Sequence, residues 1–321
     1  MSDLEPSGCI FTESNEVYHS RKAISVSKLK VADKSRELYY AQYVDKSMPG
    51  MVSEAMNFGT HAHTLILEGE EEFFQQYAVL PKENFKLNSN EGKSNYADFV
   101  SNALTDGRLT EEEGNWMCDF IYMKGRTEDD KKKALEIMGR NFVKDSDYQE
   151  ILKLKSSIDS QPKAKELLRH CQAEATFRTG MTGYGFQMQC RADGYSPVGC
   201  DLTDGESYVV DLKTIDDVDN IDKRMDTLQY SRQGPFYASV INEIDPDEPL
   251  KRFYFIFVEK KAPYRCRMVT IEPPVWEAAA YRNHNDLASL SAAYKTNDWA
   301  DTFSISFGMS DWGLKRLRGD S

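Results

Sequence analysis

The sequence has no Cys-x-x-Cys pair. Its six cysteines, Cys9, Cys118, Cys171, Cys190, Cys200 and Cys266, are scattered, which excludes a zinc knuckle or a thiolate-bound cluster built on that spacing. No apolar run reaches the length of a membrane span, and the amino terminus lacks the basic-then-apolar plan of a secretory signal. A cytoplasmic protein that does not engage a membrane is therefore expected. Internal repeats and low-complexity tracts are also missing. Positive charge is scarce: 40 Lys and Arg stand against 52 Asp and Glu, a formal net charge of −12. That balance opposes a polyanionic partner unless cations are gathered locally.

Two such gatherings exist. Arg21, Lys22, Lys28, Lys30, Lys34 and Arg36 are interrupted only by Asp33. Lys251, Arg252, Lys260, Lys261, Arg265 and Arg267 surround an expected hairpin, Phe253 to Glu259 and Tyr264 to Ile271. Each is a candidate patch for tracking a phosphate backbone; the second reads equally well as charge that keeps a sheet edge soluble.

At 321 residues and 40% hydrophobic content, the chain is long enough to bury a sizeable core as one elaborated domain. The most informative stretch lies past its middle. Phe186 to Asp193 alternates apolar with polar, the period of a half-buried strand, and sends Gln189, Arg191 and Asp193 to one face. A turn-rich stretch, Gly199 to Gly205, leads to the β-branched run Tyr208 to Thr214, which reads as the second strand of a hairpin with Asp211 and Lys213 on a shared face. Strand-borne carboxylates are hard oxygen ligands suited to Mg²⁺, which keeps places for water and phosphate oxygens. A lysine beside such an ion orients or helps deprotonate the attacking water and offsets charge on the phosphate.

Other parts stand in order around this pair. Glu174 lies in a short candidate strand, Ala173 to Phe177, and brings another carboxylate. His61 and His63 fall in the amphipathic stretch Glu54 to Glu68, where Phe58, Ala62, Leu65 and Ile66 recur at helical spacing. Gln233 and Tyr237, four apart, lie one above the other on a helix. Pro235 sits between them, so either that helix kinks or it starts near Pro235 with Gln233 in its entry turn.

Glu16 to His19 with Ile24 to Lys30, the Gly-x-x-x-His block from Gly59 to His63 with Leu67-Glu68, Ala173-Glu174, Cys190 to Asp193, Asp211 to Thr214 and Gln233 to Tyr237 occur in that sequence order. In this ordered set the chain resembles the PD-(D/E)XK nucleases of the RecB-like branch, and within it the RecE or exonuclease VIII type of phage and prophage recombination exonuclease. The resemblance implies an α/β restriction-endonuclease-like core with a mixed central sheet flanked by helices. It implies His63, Glu174, Asp193, Asp211 and the backbone carbonyl of Leu212 as metal ligands and Lys213 as catalytic lysine. Gln233 and Tyr237 then match the family's Gln-x-x-x-Tyr element. Arg191, Thr214, Lys28, Lys30, Lys260 and Lys261 are the expected DNA contacts.

The activity implied is digestion of linear duplex DNA from the 5′ end with Mg²⁺, two ions being expected and Mn²⁺ an expected substitute. A homo-oligomeric ring would thread a DNA end and leave a 3′ single strand for a RecT-like annealing protein in a bacterial host cell. The close carboxy-terminal cysteine triplet that some RecB-like relatives use for an iron-sulfur cluster is lacking, so no such cluster is expected. A structure-specific or single-strand endonuclease, and a non-catalytic DNA-end binding module, are the alternatives. The expected organisation is a loose arm over residues 1–16, then one domain over 17–321. That domain carries a helical insertion over about 84–155 and a catalytic core over about 170–272.

Overall fold

The computed structural model describes residues 4–11, 13–48, 54–80, 89–120 and 139–301. The eight strands of these residues are β1 (Gly8–Ile10), β2 (Tyr77–Leu80), β3 (Asn141–Lys144), β4 (Gln172–Arg178), β5 (Gln189–Ser196), β6 (Tyr208–Ile215), β7 (Arg252–Glu259) and β8 (Cys266–Thr270). Six form one mixed sheet in the order β1-β4-β5-β6-β7-β8, in which β6 and β7 are parallel and the other pairs antiparallel.

The parallel pair is central because its sequence is apolar on both faces, as a strand covered by helices on each side requires. Phe253, Phe255 and Phe257 of β7 join Val209 and Ile215 of β6 in one core layer, beneath Phe236 and Val240 of the helix Gln233–Ile244 and Leu287 and Leu290 of the helix Pro273–Thr296. The alternate residues, Tyr208, Val210, Leu212, Tyr254, Ile256 and Val258, pack on Leu154 and Ile158 of the helix Asp145–Asp159 and on Leu167 of the helix Pro162–Arg169. Each such fully buried aliphatic or aromatic side chain contributes about 1.5–3 kcal/mol of transfer free energy. The result is a helix–sheet–helix sandwich, the α/β class and mixed sheet the sequence implies. A third core, with Leu65, Phe73, Val79, Val143 and Ile151, seats the helix Glu54–His63 beside the parallel pair β2 and β3.

Two domain boundaries differ from the sequence reading, and the strand expected over Phe186 to Asp193 runs instead over Gln189–Ser196. Residues within the expected loose arm form β1, which extends the sheet along β4, and Glu13 reaches the fully buried Arg178 at 2.6 Å. Arg178 also bonds Gln189 and the Pro6 carbonyl, so this end of the chain is tied into the fold. The expected helical insertion contains the helices Asn90–Thr105 and Glu111–Phe120, but also β3, and its expected end at 155 falls inside a helix that covers the central sheet. Residues 84–88 and 121–138 of it, and the tail bearing Trp312, lie outside the described residues.

Candidate active site

The site sits where two antiparallel strands part. β5 and β6 pair through Gly194 with Val210, Tyr195 with Val209 and Ser196 with Tyr208; one step further along that register Asp193 meets Asp211. There the ladder ends and a side chain takes over: Asp193 Oδ2 accepts the Leu212 backbone N–H at 2.7 Å. Leu212 thus enters the site through its N–H. On its other side β5 pairs with β4, Ala173 with Gly194 and Ala175 with Ala192, so Glu174 lies across from Asp193.

Glu174 holds its position with φ of 53°, a left-handed conformation that costs a non-glycine residue of order 1–3 kcal/mol and gathers at functional sites. His63 arrives from the other side, at the last position of the helix Glu54–His63, where the chain passes into a wider turn, Thr64–Glu68, closed by the Gly69 N–H on the Thr64 carbonyl. Its Nδ1 stands 3.5 Å from Asp193 Oδ2. One donor atom each from His63, Glu174 and Asp193 all fall within 4.8 Å of one another. Two carboxylates and an imidazole converging from three separate elements form a donor set that could hold a divalent cation.

The charges are those of a crowded, half-buried site. Burial, reinforced by Asp193, pushes the Glu174 carboxyl up to about 7. Asp211 is pushed up to about 6 by burial, against the pull of Lys213. Burial also opposes the charge on Asp193, but His63, Lys213 and the Leu212 N–H outweigh it and hold that carboxyl below its ordinary value. His63, disfavoured as a cation by burial, is raised to about 9 by Asp193. A carboxyl raised by burial and a neighbouring carboxylate, as Glu174 is, is the kind of group whose charge a bound cation favours.

Asp211, only 1% exposed, is held beside this group rather than inside it. Its Oδ2 contacts the Lys213 ammonium and its Oδ1 accepts from Gln233 Nε2 at 2.7 Å. Gln233 also reaches the Tyr237 hydroxyl, which donates to the Arg191 carbonyl at 2.9 Å. The Gln-x-x-x-Tyr element therefore braces β5 against β6 across the parting strands. The helix starts at Gln233, so Pro235 sits in its first turn, where a missing N–H costs no helical bond. Gly234 is needed for contact: a Cβ there would meet Trp276 at 2.6 Å.

The expected DNA contacts fare differently. Arg191 lies 2.6 Å from Glu174, donates to the Glu13 carbonyl and faces the Tyr18 ring, so it secures a metal-ligand candidate instead of offering a free guanidinium. Lys28 is 7% exposed and its ammonium donates to the Arg21 and Ala23 carbonyls, an arrangement that closes a helix entry and engages two of its three N–H groups inside the fold. Lys30 donates to the Leu228 carbonyl at 2.8 Å. Of the rest of the first patch, Arg21 pairs with Glu13 and Arg36 with the Ala300 carbonyl. In the second, Lys260 pairs with Asp216, Arg252 with Glu206, and Arg265 with Glu259, Asp217 and Asp219. Lys261 is exposed and Thr214 half-buried. His61 lies apart from the ligand group, edge-on to Tyr77 at 4.7 Å. Tyr230, missed in the sequence, sits under the Lys213 ammonium at 5.2 Å from its ring centre; its place three residues before Gln233 carries no pattern to flag it.

A forked α/β sheet with carboxylates at the fork and a lysine two residues beyond one of them defines the PD-(D/E)XK class. The chain belongs to the family described as a PDDEXK-like domain of unknown function, whose model matches residues 25–303. It is similar in fold to the crystal structure of a protein from Eubacterium rectale described as a "putative exonuclease", with a TM-score of 0.53, 13% identity, and 95% of this chain and 98% of that chain covered. No curated protein matches the sequence.

Proposed function

We propose that this protein is a divalent-metal-dependent nuclease that hydrolyses phosphodiester bonds of DNA, acting on linear duplex from its ends in the manner of the RecE-type exonucleases. The observation that carries the reading is the convergence of His63, Glu174 and Asp193 donors within 4.8 Å next to the Asp211–Lys213 ion pair. His63, Glu174 and Asp193 would hold the metal, with Asp211 and the Leu212 carbonyl completing its shell; two ions are the expectation. A bound Mg²⁺, or Mn²⁺ in its place, supplies positive charge against which water loses a proton and the leaving oxygen departs.

The chain's own groups supply the rest. Lys213, held by Asp211, presents an ammonium to the water or the phosphate oxygens. Gln233 fixes the Asp211 carboxylate, and Tyr237 fixes the backbone of β5 beside Asp193. Arg191 keeps Glu174 aimed at the ligand group. The 5′-to-3′ direction, a ring of copies around the duplex, and hand-over of a 3′ strand to a RecT-like annealing protein in a phage-bearing bacterial cytoplasm belong to the same proposal. They rest on the sequence resemblance. The acidic exterior agrees with a protein whose contact with DNA is confined to a working groove.

End-labelled linear duplex and closed circular DNA, each with Mg²⁺, Mn²⁺, Ca²⁺ or chelator, test the proposal. Linear duplex should shorten from its ends only with Mg²⁺ or Mn²⁺, and the circle should survive. Cutting of the circle would replace the exonuclease with an endonuclease at the same carboxylates. Binding without cutting in every metal would leave a DNA-end binding module.

A further inference from the structure

The position of Lys213 depends on more than Asp211. Its ammonium lies 5.2 Å from the ring centre of Tyr230, and the Lys30 ammonium lies 5.6 Å from the same ring. Two ammonium groups share one aromatic ring, and burial first, then Lys213, holds Lys30 down at about 7, so the arrangement persists only where the surroundings fix all three groups.

The surroundings do so here. Lys30 belongs to the helix Val26–Lys34 and donates to the Leu228 carbonyl at 2.8 Å, just before Gln229, whose φ is 50°. That left-handed step turns the chain into the short helix Tyr230–Arg232, which leads directly into Gln233. Arg232, 2% exposed, anchors the turn through its side-chain bonds to Asn283, Asp33 and Asp286. The Tyr230 ring itself rests on Phe255 and Phe257 of β7, at 6.3 and 6.2 Å. The ring is thus clamped between the sheet and a pinned turn.

We infer that Tyr230 is a positioning residue for Lys213: its ring face holds the ammonium against Asp211 at the mouth of the ligand group, while Lys30 secures the turn that carries the ring. The inference rests on the nuclease reading for its catalytic consequence, but the placement of the lysine stands on geometry alone. The ring, and not the phenol hydroxyl, is the working part. Tyr230→Phe keeps it and Tyr230→Leu removes it while keeping an apolar contact with Phe255 and Phe257.

Two readouts separate the inference from the proposed activity. The first is nuclear magnetic resonance of the Lys213 side chain in the full-length protein without metal. Its terminal methylene protons should be shifted upfield by the ring current in the wild type and in Tyr230→Phe, and should return to ordinary values in Tyr230→Leu. The second is single-turnover cleavage of linear duplex, with affinity measured separately in Ca²⁺. Tyr230→Leu should lower the rate about 3- to 30-fold at unchanged affinity, and Tyr230→Phe should restore it. Ordinary Lys213 shifts in the wild type, or equal losses in the Leu and Phe variants, overturn the inference. A wild type that shows the ring-current shift and cuts no DNA overturns the proposed function and leaves the positioning intact.

Discussion

Glu174 and Asp193 face each other across β4 and β5, and Glu174 does so from a left-handed backbone, φ 53°, in the middle of a strand. Ordinarily glycine in a strand is less stable than alanine by about 0.5–1 kcal/mol. At this position the order should invert, because alanine inherits the strain and glycine does not. Glu174→Gly is expected to be about 1 kcal/mol more stable than Glu174→Ala, with both variants losing Mg²⁺ binding and DNA cleavage. Denaturant melts of the two, at constant m-value, check it; equal midpoints would mean that the backbone there carries no strain.

Asp211 and Lys213 divide the chemistry between charge and position. Asp211→Asn keeps the shape and the acceptor for Gln233 but removes the charge that faces Lys213. It should leave the fold intact, weaken Mg²⁺ or Mn²⁺ binding in calorimetric titration, and abolish cutting. Lys213→Ala should lower turnover by about 10² to 10⁴ while DNA affinity in Ca²⁺ changes little. Loss of affinity with an unchanged single-turnover rate would make Lys213 a backbone contact, and an Asp211→Asn variant that cuts at the wild-type rate would displace the site.

Acid stability should depend on a group remote from the ligands. Glu259, 4% exposed, accepts from the Val218 and Arg265 backbone N–H groups and from the Arg265 guanidinium. Its bonds with Arg265 outweigh the opposing effect of burial and hold the carboxyl down at about 2. A depressed carboxylate contributes stability that is fully present above its unfolded value and is lost as pH falls through the folded one. The contribution should therefore fade between about pH 5 and pH 2. Glu259→Gln should be less stable than the wild type at pH 7 and should lose less as pH falls through this window. Parallel melting curves for the two proteins from pH 7 to pH 3 would remove Glu259 from the account.

How much of this was legible in the sequence follows from where each signal resides. β5 and β6 show themselves because alternation and β-branching are local, and the shared face of Asp211 and Lys213 follows from the two-residue period. The helix around His63 is legible for the same reason. β1 is not, since a three-residue strand has no period of its own and exists by pairing with β4. β3 is hidden likewise: it is four residues long and pairs in parallel with β2, from which it is far removed in sequence. The contacts that engage Arg191 and Tyr230 come from elements distant in sequence, and no spacing rule reaches across them.

Lys28 shows why a run of basic residues is a poor guide to a surface. Two residues before Lys30, it is turned by the helix Val26–Lys34 into the fold, where it serves two backbone carbonyls and is held at about 8 by burial. Lys28→Glu would place a carboxylate against those carbonyls with no donor to meet it, a loss of about 3 kcal/mol or more, seen as a large drop in the denaturation midpoint. Lys261, exposed at the turn between β7 and β8, offers the contrast. Its reversal to Glu should change stability by no more than about 0.5 kcal/mol. If the second patch tracks the DNA backbone, that reversal should also weaken binding in Ca²⁺ and lower the slope of log affinity against log salt by about 1. Equal melting of Lys28→Glu and wild type would return Lys28 to the surface. An unchanged salt slope in Lys261→Glu would assign the second patch to keeping the sheet edge soluble.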